Sequence, residues 1–156
     1  MTPAINLLKK HNIPHQIHEY VHDAASESYG LEAALKMGVS ETRVFKTLIL
    51  SLNKGQLAVG ILPVSSQLSM KLMAKAAGAK SATMADKAMV ERSTGYVLGG
   101  VSPLGQKKRL KTVIDQSAET HTTIFISAGR RGLEIELNPE DLKKLTSATY
   151  ADIYQN

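Results

Sequence analysis

Val44–Leu62 constrains the fold more than any other stretch of this chain. Its first part, VFKTLILSL (Val44–Leu52), is apolar on both faces of an extended strand, the pattern of a strand covered on each side. Asn53-Lys54-Gly55 supplies turn residues, Gln56–Leu62 repeats the apolar run, and Pro63 closes it. The stretch is predicted to be a β-hairpin in the middle of a sheet. One residue breaks the pattern: Lys46 shares a face with Val44, Leu48 and Leu50. An ammonium so placed either snorkels past the strand's end or sits in a cleft with a polar or anionic partner, because burying it alone costs too much.

The remaining segments supply layers for that hairpin. Thr2-Pro3 opens a helix carrying Ile5, Leu7 and Leu8, and Asn12 and Pro14 stop it. His15–His22 alternates as a strand, with His18, Tyr20 and His22 on one face and Ile17 and Val21 on the other. Asp23–Tyr29 reads as a polar loop, and Leu31, Ala34 and Leu35 mark a short helix that Gly38 ends. Ser69 caps a helix over Met70–Ala77, with Leu72, Met73, Ala76 and Ala77 inward, and Ala85–Glu91 is a second short helix. Thr112–Asp115, Thr122–Ser127 and Leu133–Leu137 are strand-like. Asn138-Pro139-Glu140-Asp141 opens a last helix by cap, proline and acidic first turn. The chain has 156 residues and neither repeats nor a linker, so it is predicted to be one domain, 1–156, of mixed α/β (α+β) class. The expected architecture is a curved mixed sheet or a partly closed β-barrel with helices packed outside.

Composition excludes several chemistries. There is no cysteine, hence no disulfide, thiolate metal site or enzyme thiol. His11, His15, His18 and His22 have metal-like spacing, but the predicted helix-to-strand break scatters them, so no metal is expected. No apolar run reaches spanning length, which makes the expected setting cytoplasmic with no membrane partner. A net charge of +5 suits an anionic partner without identifying one.

Chemistry concentrates in GYVLGGVSPLGQKKRLK (Gly95–Lys111). Tyr96-Val97-Leu98 reads as a short strand that breaks at Gly99-Gly100. Ser102-Pro103 and Gly105 hold the chain out of regular structure, and Lys107, Lys108, Arg109 and Lys111 follow. The N–H groups at Gly99, Gly100, Val101 and Ser102 are candidate donors to a carbonyl or phosphate oxygen. No G-x-S-x-G elbow is present; Ser102 lies in the loop, with His121 as its nearest downstream candidate base. Ser127 and Gly129 lie in SAGRRG, at the end of a predicted strand.

Three segments, VFKTLIL (Val44–Leu50), RSTGYVLGGVSPLGQKKRL (Arg92–Leu110) and SAGRRGLEIEL (Ser127–Leu137), resemble the YbaK/ProX family of free-standing aminoacyl-tRNA editing proteins. They are most similar to its Cys-tRNA(Pro) deacylases, and in this order they extend the likeness over essentially the whole chain. The resemblance implies the fold of that editing domain. It makes Lys46 the family's strand lysine and Gly99–Pro103 its glycine-x-x-x-proline loop. It places Tyr20, Tyr29, Pro103, Ser127, Gly129 and Arg131 around substrate, and Lys107, Lys108 and Arg109 become the expected tRNA contacts. Tyr29 departs from the phenylalanine usual there. Arg131 is expected either to contact substrate or to pair with Glu134 or Glu136. The implied reaction needs no cofactor: the substrate's own thiol attacks its ester, and tethering replaces an enzyme nucleophile. The implied partners are aminoacyl-tRNA(Pro) and prolyl-tRNA synthetase, with no DNA. An Ala-tRNA(Pro) deacylase using activated water, and a non-catalytic tRNA- or synthetase-binding module, are the alternatives.

Overall fold

A computed structural model describes residues 1–26 and 28–156. Thr2 caps α1 (Pro3–Lys10) by accepting the Ile5 N–H, and Ala4, Ile5 and Leu8 enter the core. β1 (His15–Glu19) follows, then α2 (Tyr29–Met37), which stops at Gly38 in the left-handed conformation. α2 buries Glu32, Ala33 and Ala34 while Leu31 and Leu35 stay exposed, so only Ala34 of the predicted stripe reaches the core.

β2 (Phe45–Leu52) and β3 (Leu57–Pro63) form the predicted hairpin, with Phe45 opposite Pro63 and Ser51 opposite Leu57. After β4 (Gln67–Leu68), Ser69 caps α3 (Met70–Ala76) through the Leu72 N–H at 3.1 Å. Met73 and Ala74 are its buried residues, and Ala77 just past its end is buried too; Leu72 and Ala76 are only partly covered.

The next region departs from the sequence reading. Ala82–Met84 forms an edge strand, β5, and α4 runs Lys87–Thr94 instead of Ala85–Glu91 because Asp86 caps it, accepting the Met89 N–H at 2.8 Å. Tyr96–Leu98 is not a strand. The buried Tyr96 hydroxyl donates to the Leu104 carbonyl at 2.6 Å, which ties the segment across its own loop and leaves Val97 and Leu98 exposed.

β6 (Lys111–Asp115), β7 (Ile124–Arg130) and β8 (Leu133–Leu137) stand where strands were expected. α5 (Pro139–Thr146) is capped by Asn138, and β9 (Thr149–Ala151) and β10 (Tyr154–Gln155) finish the chain.

The strands form a mixed five-stranded sheet, β5-β2-β3-β6-β9, a three-stranded antiparallel sheet, β1-β8-β7, and the pair β10-β4. Among the described residues these sheets stay open, so the fold is the mixed, helix-covered sheet and not the barrel. One face of the five-stranded sheet (Phe45, Ile49, Val59, Ile61, Ile114) packs with β7, β8, α1 and α5 in the main core. The other face (Leu50, Leu52, Ala58, Leu62, Val113) packs on α3. No helix of the described residues is long and apolar enough to cross a membrane.

Candidate functional site

A cavity of about 330 Å³ opens where α2, the first half of β2, the 98–101 loop and the β7–β8 hairpin meet. β2 contributes Phe45, Lys46, Thr47 and Leu48. Here the strand has left the cover of β5, which pairs with it only from Leu50 to Leu52. Lys46 therefore occupies a cleft, half-buried, and makes no ion pair among the described residues. Burial holds its ammonium below the usual lysine range. Thr47 Oγ1, in the same wall, is buried without a hydrogen-bond partner among the described residues, a situation that normally costs about 1–3 kcal/mol.

The opposite wall comes from the three-stranded sheet. Ser127 pairs in register with Glu134, so both side chains project from one face, and both line the cavity. Glu134 is 7% exposed, and burial pushes its carboxyl up to about 8. Burial also raises the phenol of Tyr20, reinforced by nearby Glu134. Sequence reasoning missed Thr47 and Glu134 as site residues. In LEIEL, Glu134 reads as the solvent face of an alternating strand, and only the cover over that face makes it a pocket carboxyl.

At the rim, Arg131 lies over Tyr29, its Cζ 3.5 Å from the ring centroid, and its Nη1 is 3.3 Å from His22 Nε2. Neither expected carboxylate pairs with it: Glu136 is engaged by His18, Arg43 and Thr123, and Glu134 faces the cavity. His18 and His22 each bond a carboxylate, and the described residues contain no group of three or more potential metal ligands. Gly99 is required here. Its φ is 90°, and a Cβ would stand 2.5 Å from Arg131 Nε and 2.9 Å from the Tyr29 ring. Gly30 is required for space alone, since a Cβ would come within 2.2 Å of Val64 Cγ1.

The structure divides the loop residues that the sequence grouped together. Gly99 and Val101 line the cavity, and among the described residues their N–H groups have no acceptor. The Gly100 N–H is closed on the Val97 carbonyl at 3.0 Å, which removes it from the candidate donors. Ser102 is fully buried, and its Oγ accepts the Leu104 N–H at 3.2 Å. The candidate base His121 packs edge-on against Phe45. Ser102 is thus a loop-shaping residue outside the cavity wall. Ser127 Oγ accepts the Gly129 N–H at 3.1 Å, and Gly129 itself packs beneath Tyr96 and Thr2.

Pro103 faces a second depression, of about 280 Å³, between α1, α5 and the loop. Lys107, Lys108 and Arg109 line that depression and not the cavity, with Arg109 bonded to Ser147.

Comparison with known proteins identifies a family. Residues 25–145 match the aminoacyl-tRNA editing domain family. EbsC of Enterococcus faecalis, provisionally described as a Cys-tRNA(Pro)/Cys-tRNA(Cys) deacylase, is 36% identical over 97% of this chain and 92% of its own. YwhH of Bacillus subtilis, whose function is uncharacterised, is 27% identical over 78% of each chain. The crystal structure of a provisionally identified trans-editing enzyme for prolyl-tRNA synthetase superposes with a TM-score of 0.84, covering 99% of this chain and 96% of its own at 22% identity, and shares the fold.

Proposed function

The chain belongs to the aminoacyl-tRNA editing domain family, and we propose that it is an aminoacyl-tRNA deacylase whose substrate is cysteine wrongly attached to tRNA(Pro). The observation that carries this reading is the composition of the cavity wall. Gly99 and Val101, whose N–H groups have no acceptor among the described residues, line one space with a lysine, while Ser102 lies outside it and the chain has no cysteine.

Such a wall suits a substrate that brings its own nucleophile. The sulfur of the cysteinyl group attacks the ester carbonyl carbon, the bond to the ribose oxygen breaks, and that oxygen takes up the proton the thiol gave up. The products are a thiolactone and free tRNA. A cysteine thiol ionises near pH 8.5, so a useful thiolate fraction exists near neutrality. Being tethered, it needs only to be folded back onto its target.

The Gly99 and Val101 N–H groups receive the charge developing on the carbonyl oxygen. Lys46 stabilises the same charge and the departing ribose oxygen, and Thr47 donates its hydroxyl to the bound ester. Glu134 takes the α-ammonium group, which supplies the partner that the buried carboxyl lacks. Tyr20, Tyr29 and Ser127 shape the space for the side chain. Lys107, Lys108 and Arg109 bind backbone phosphates further along the tRNA. Because a pocket of this size cannot read an anticodon, docking to prolyl-tRNA synthetase selects the tRNA.

The test is single-turnover cleavage of Cys-tRNA(Pro), Ala-tRNA(Pro) and S-methylcysteinyl-tRNA(Pro), each shown first to bind. Cleavage of the first alone, with a thiolactone captured by hydroxylamine, is expected. Cleavage of the S-methyl ester would exclude the thiol mechanism in favour of activated water, and cleavage of none would leave only a binding module.

A further inference from the structure

Arg131 is anchored from behind by a chain of two side chains. Its Nη1 is 3.3 Å from His22 Nε2, and the other ring nitrogen, Nδ1, is 2.6 Å from Glu32 Oε1. Glu32 is a fixed point. It is 6% exposed on α2, its second oxygen accepts the Asp23 N–H at 2.8 Å, and Lys36 pairs with that oxygen at 3.3 Å. Burial alone would raise its carboxyl, but the hydrogen bonds from His22, Asp23 and Lys36 outweigh burial and hold it down at about 2, so it is an acceptor throughout the working range.

A guanidinium only donates, so the nitrogen facing Arg131 must accept. The imidazole proton then sits on Nδ1 and points at Glu32. With its flat face on Tyr29 and its edge against Gly99, the guanidinium is held where α2, the loop and the β7–β8 hairpin converge on the cavity mouth.

We propose that His22 is a positioning residue: as the Nδ1–H tautomer it transmits the anchor at Glu32 to Arg131, and the held guanidinium receives the phosphodiester at the RNA 3′ end. This rests on the aminoacyl-tRNA reading above. With the aminoacyl group in the cavity and the ribose at its mouth, the next charged group outward is that phosphodiester. The planar guanidinium matches it better than an ammonium would. An arginine already held loses little rotamer freedom on binding, so the relay acts on affinity and not on the chemical step.

The experiment compares Cys-tRNA(Pro) with 2′(3′)-O-cysteinyl adenosine, which keeps the ester and ribose but has no phosphate. His22→Leu should raise KM for the tRNA about tenfold, the loss of one hydrogen bond to a charged group, with kcat within about twofold. KM for cysteinyl adenosine should move by less than about twofold, since the group served is absent from it. His22→Gln, which offers Glu32 an N–H and Arg131 a carbonyl, should recover most of the lost affinity. Adding Arg131→Leu to His22→Leu should cost no more than Arg131→Leu alone. Equal KM rises on both substrates, or a fall in kcat with KM unchanged, would overturn the proposal. Nitrogen-15 spectra of the unmodified protein give a readout that needs no variant to fold: a proton on His22 Nδ1 and none on Nε2 is expected, and a proton on Nε2 refutes the relay. Failure of the deacylase reading itself looks different, since the wild type would then cleave neither ester.

Discussion

The two ends of β2 are made of similar residues and meet opposite surroundings. From Leu50 to Leu52 the strand pairs with β5 as well as lying beside β3, with Leu50 fully buried beneath α3. From Phe45 to Leu48 it has lost β5, and Lys46, Thr47 and Leu48 line the cavity. A half-buried ammonium and an unsatisfied hydroxyl lie at this end only. The difference teaches that the sheet keeps its polar exceptions where a ligand can complete them, and excludes them where nothing can enter.

The largest expected effect comes from the open end. Lys46→Ala should slow deacylation about a hundred- to a thousandfold, as removal of one group stabilising the developing charge does elsewhere. Thermal stability should hold or rise, since a partly desolvated charge is lost. Near-normal turnover would erase the contrast between the two ends.

Leu50→Ala, two turns of the pleat away, should do the reverse. It should cost about 2–5 kcal/mol in denaturant unfolding while kcat of the folded fraction stays unchanged. A fall in kcat without loss of stability would show that the sealed end shapes the cavity.

Gly100→Ala sharpens the comparison at the loop. The new Cβ would stand 2.9 Å from Arg130 Cα, so the Gly99 and Val101 N–H groups must shift. A displacement of that size should lower kcat by about ten- to a hundredfold with a smaller change in KM. Equal losses in both would mean that the loop binds only ground-state substrate.

A smaller, pH-dependent effect is expected from Glu134→Gln. Because burial raises this carboxyl to about 8, the folded protein keeps a proton that the unfolded chain has already released. Native stability therefore falls as pH rises from the ordinary carboxylate range through about 8, and glutamine removes that slope. The variant should gain most in melting temperature at pH 8.5 and little at pH 4, while its KM for aminoacyl-tRNA rises. A gain independent of pH would mean that Glu134 is ionised in the fold.

The mildest change lies outside both ends of the strand. Reversing the charges of Lys107, Lys108 and Arg109 should weaken tRNA binding and flatten its logarithmic salt dependence by roughly two to three, measured by filter binding over a salt series. An unchanged slope would assign the second depression to another role.

Much of this was legible in the chain itself. The Val44–Leu62 hairpin could be read because a double-sided apolar run, a turn tripeptide and a proline are local signals that tertiary packing had no reason to override. Lys46 stood out by the same logic, as the one charge in that run. The caps at Thr2, Ser69 and Asn138 were equally local. Tyr96–Leu98 misled because apolar, β-prone residues look alike whether they join a sheet or are held by a tyrosine hydroxyl that donates to a carbonyl eight positions on.

What the sequence determined by itself was thus the central hairpin, the capped helices and the location of the misplaced lysine, since these depend on residues within a few positions of one another. The tertiary structure alone decided which polar groups share the cavity. Glu134 enters it because β8 pairs Ser127 against it, Gly100 and Ser102 leave it because their polar atoms close local turns, and Arg131 stands at its rim within hydrogen-bond reach of His22, which in turn bonds Glu32, about a hundred residues earlier. Register and long-range hydrogen bonding leave no mark on local composition, and they are what brings these side chains to one cavity.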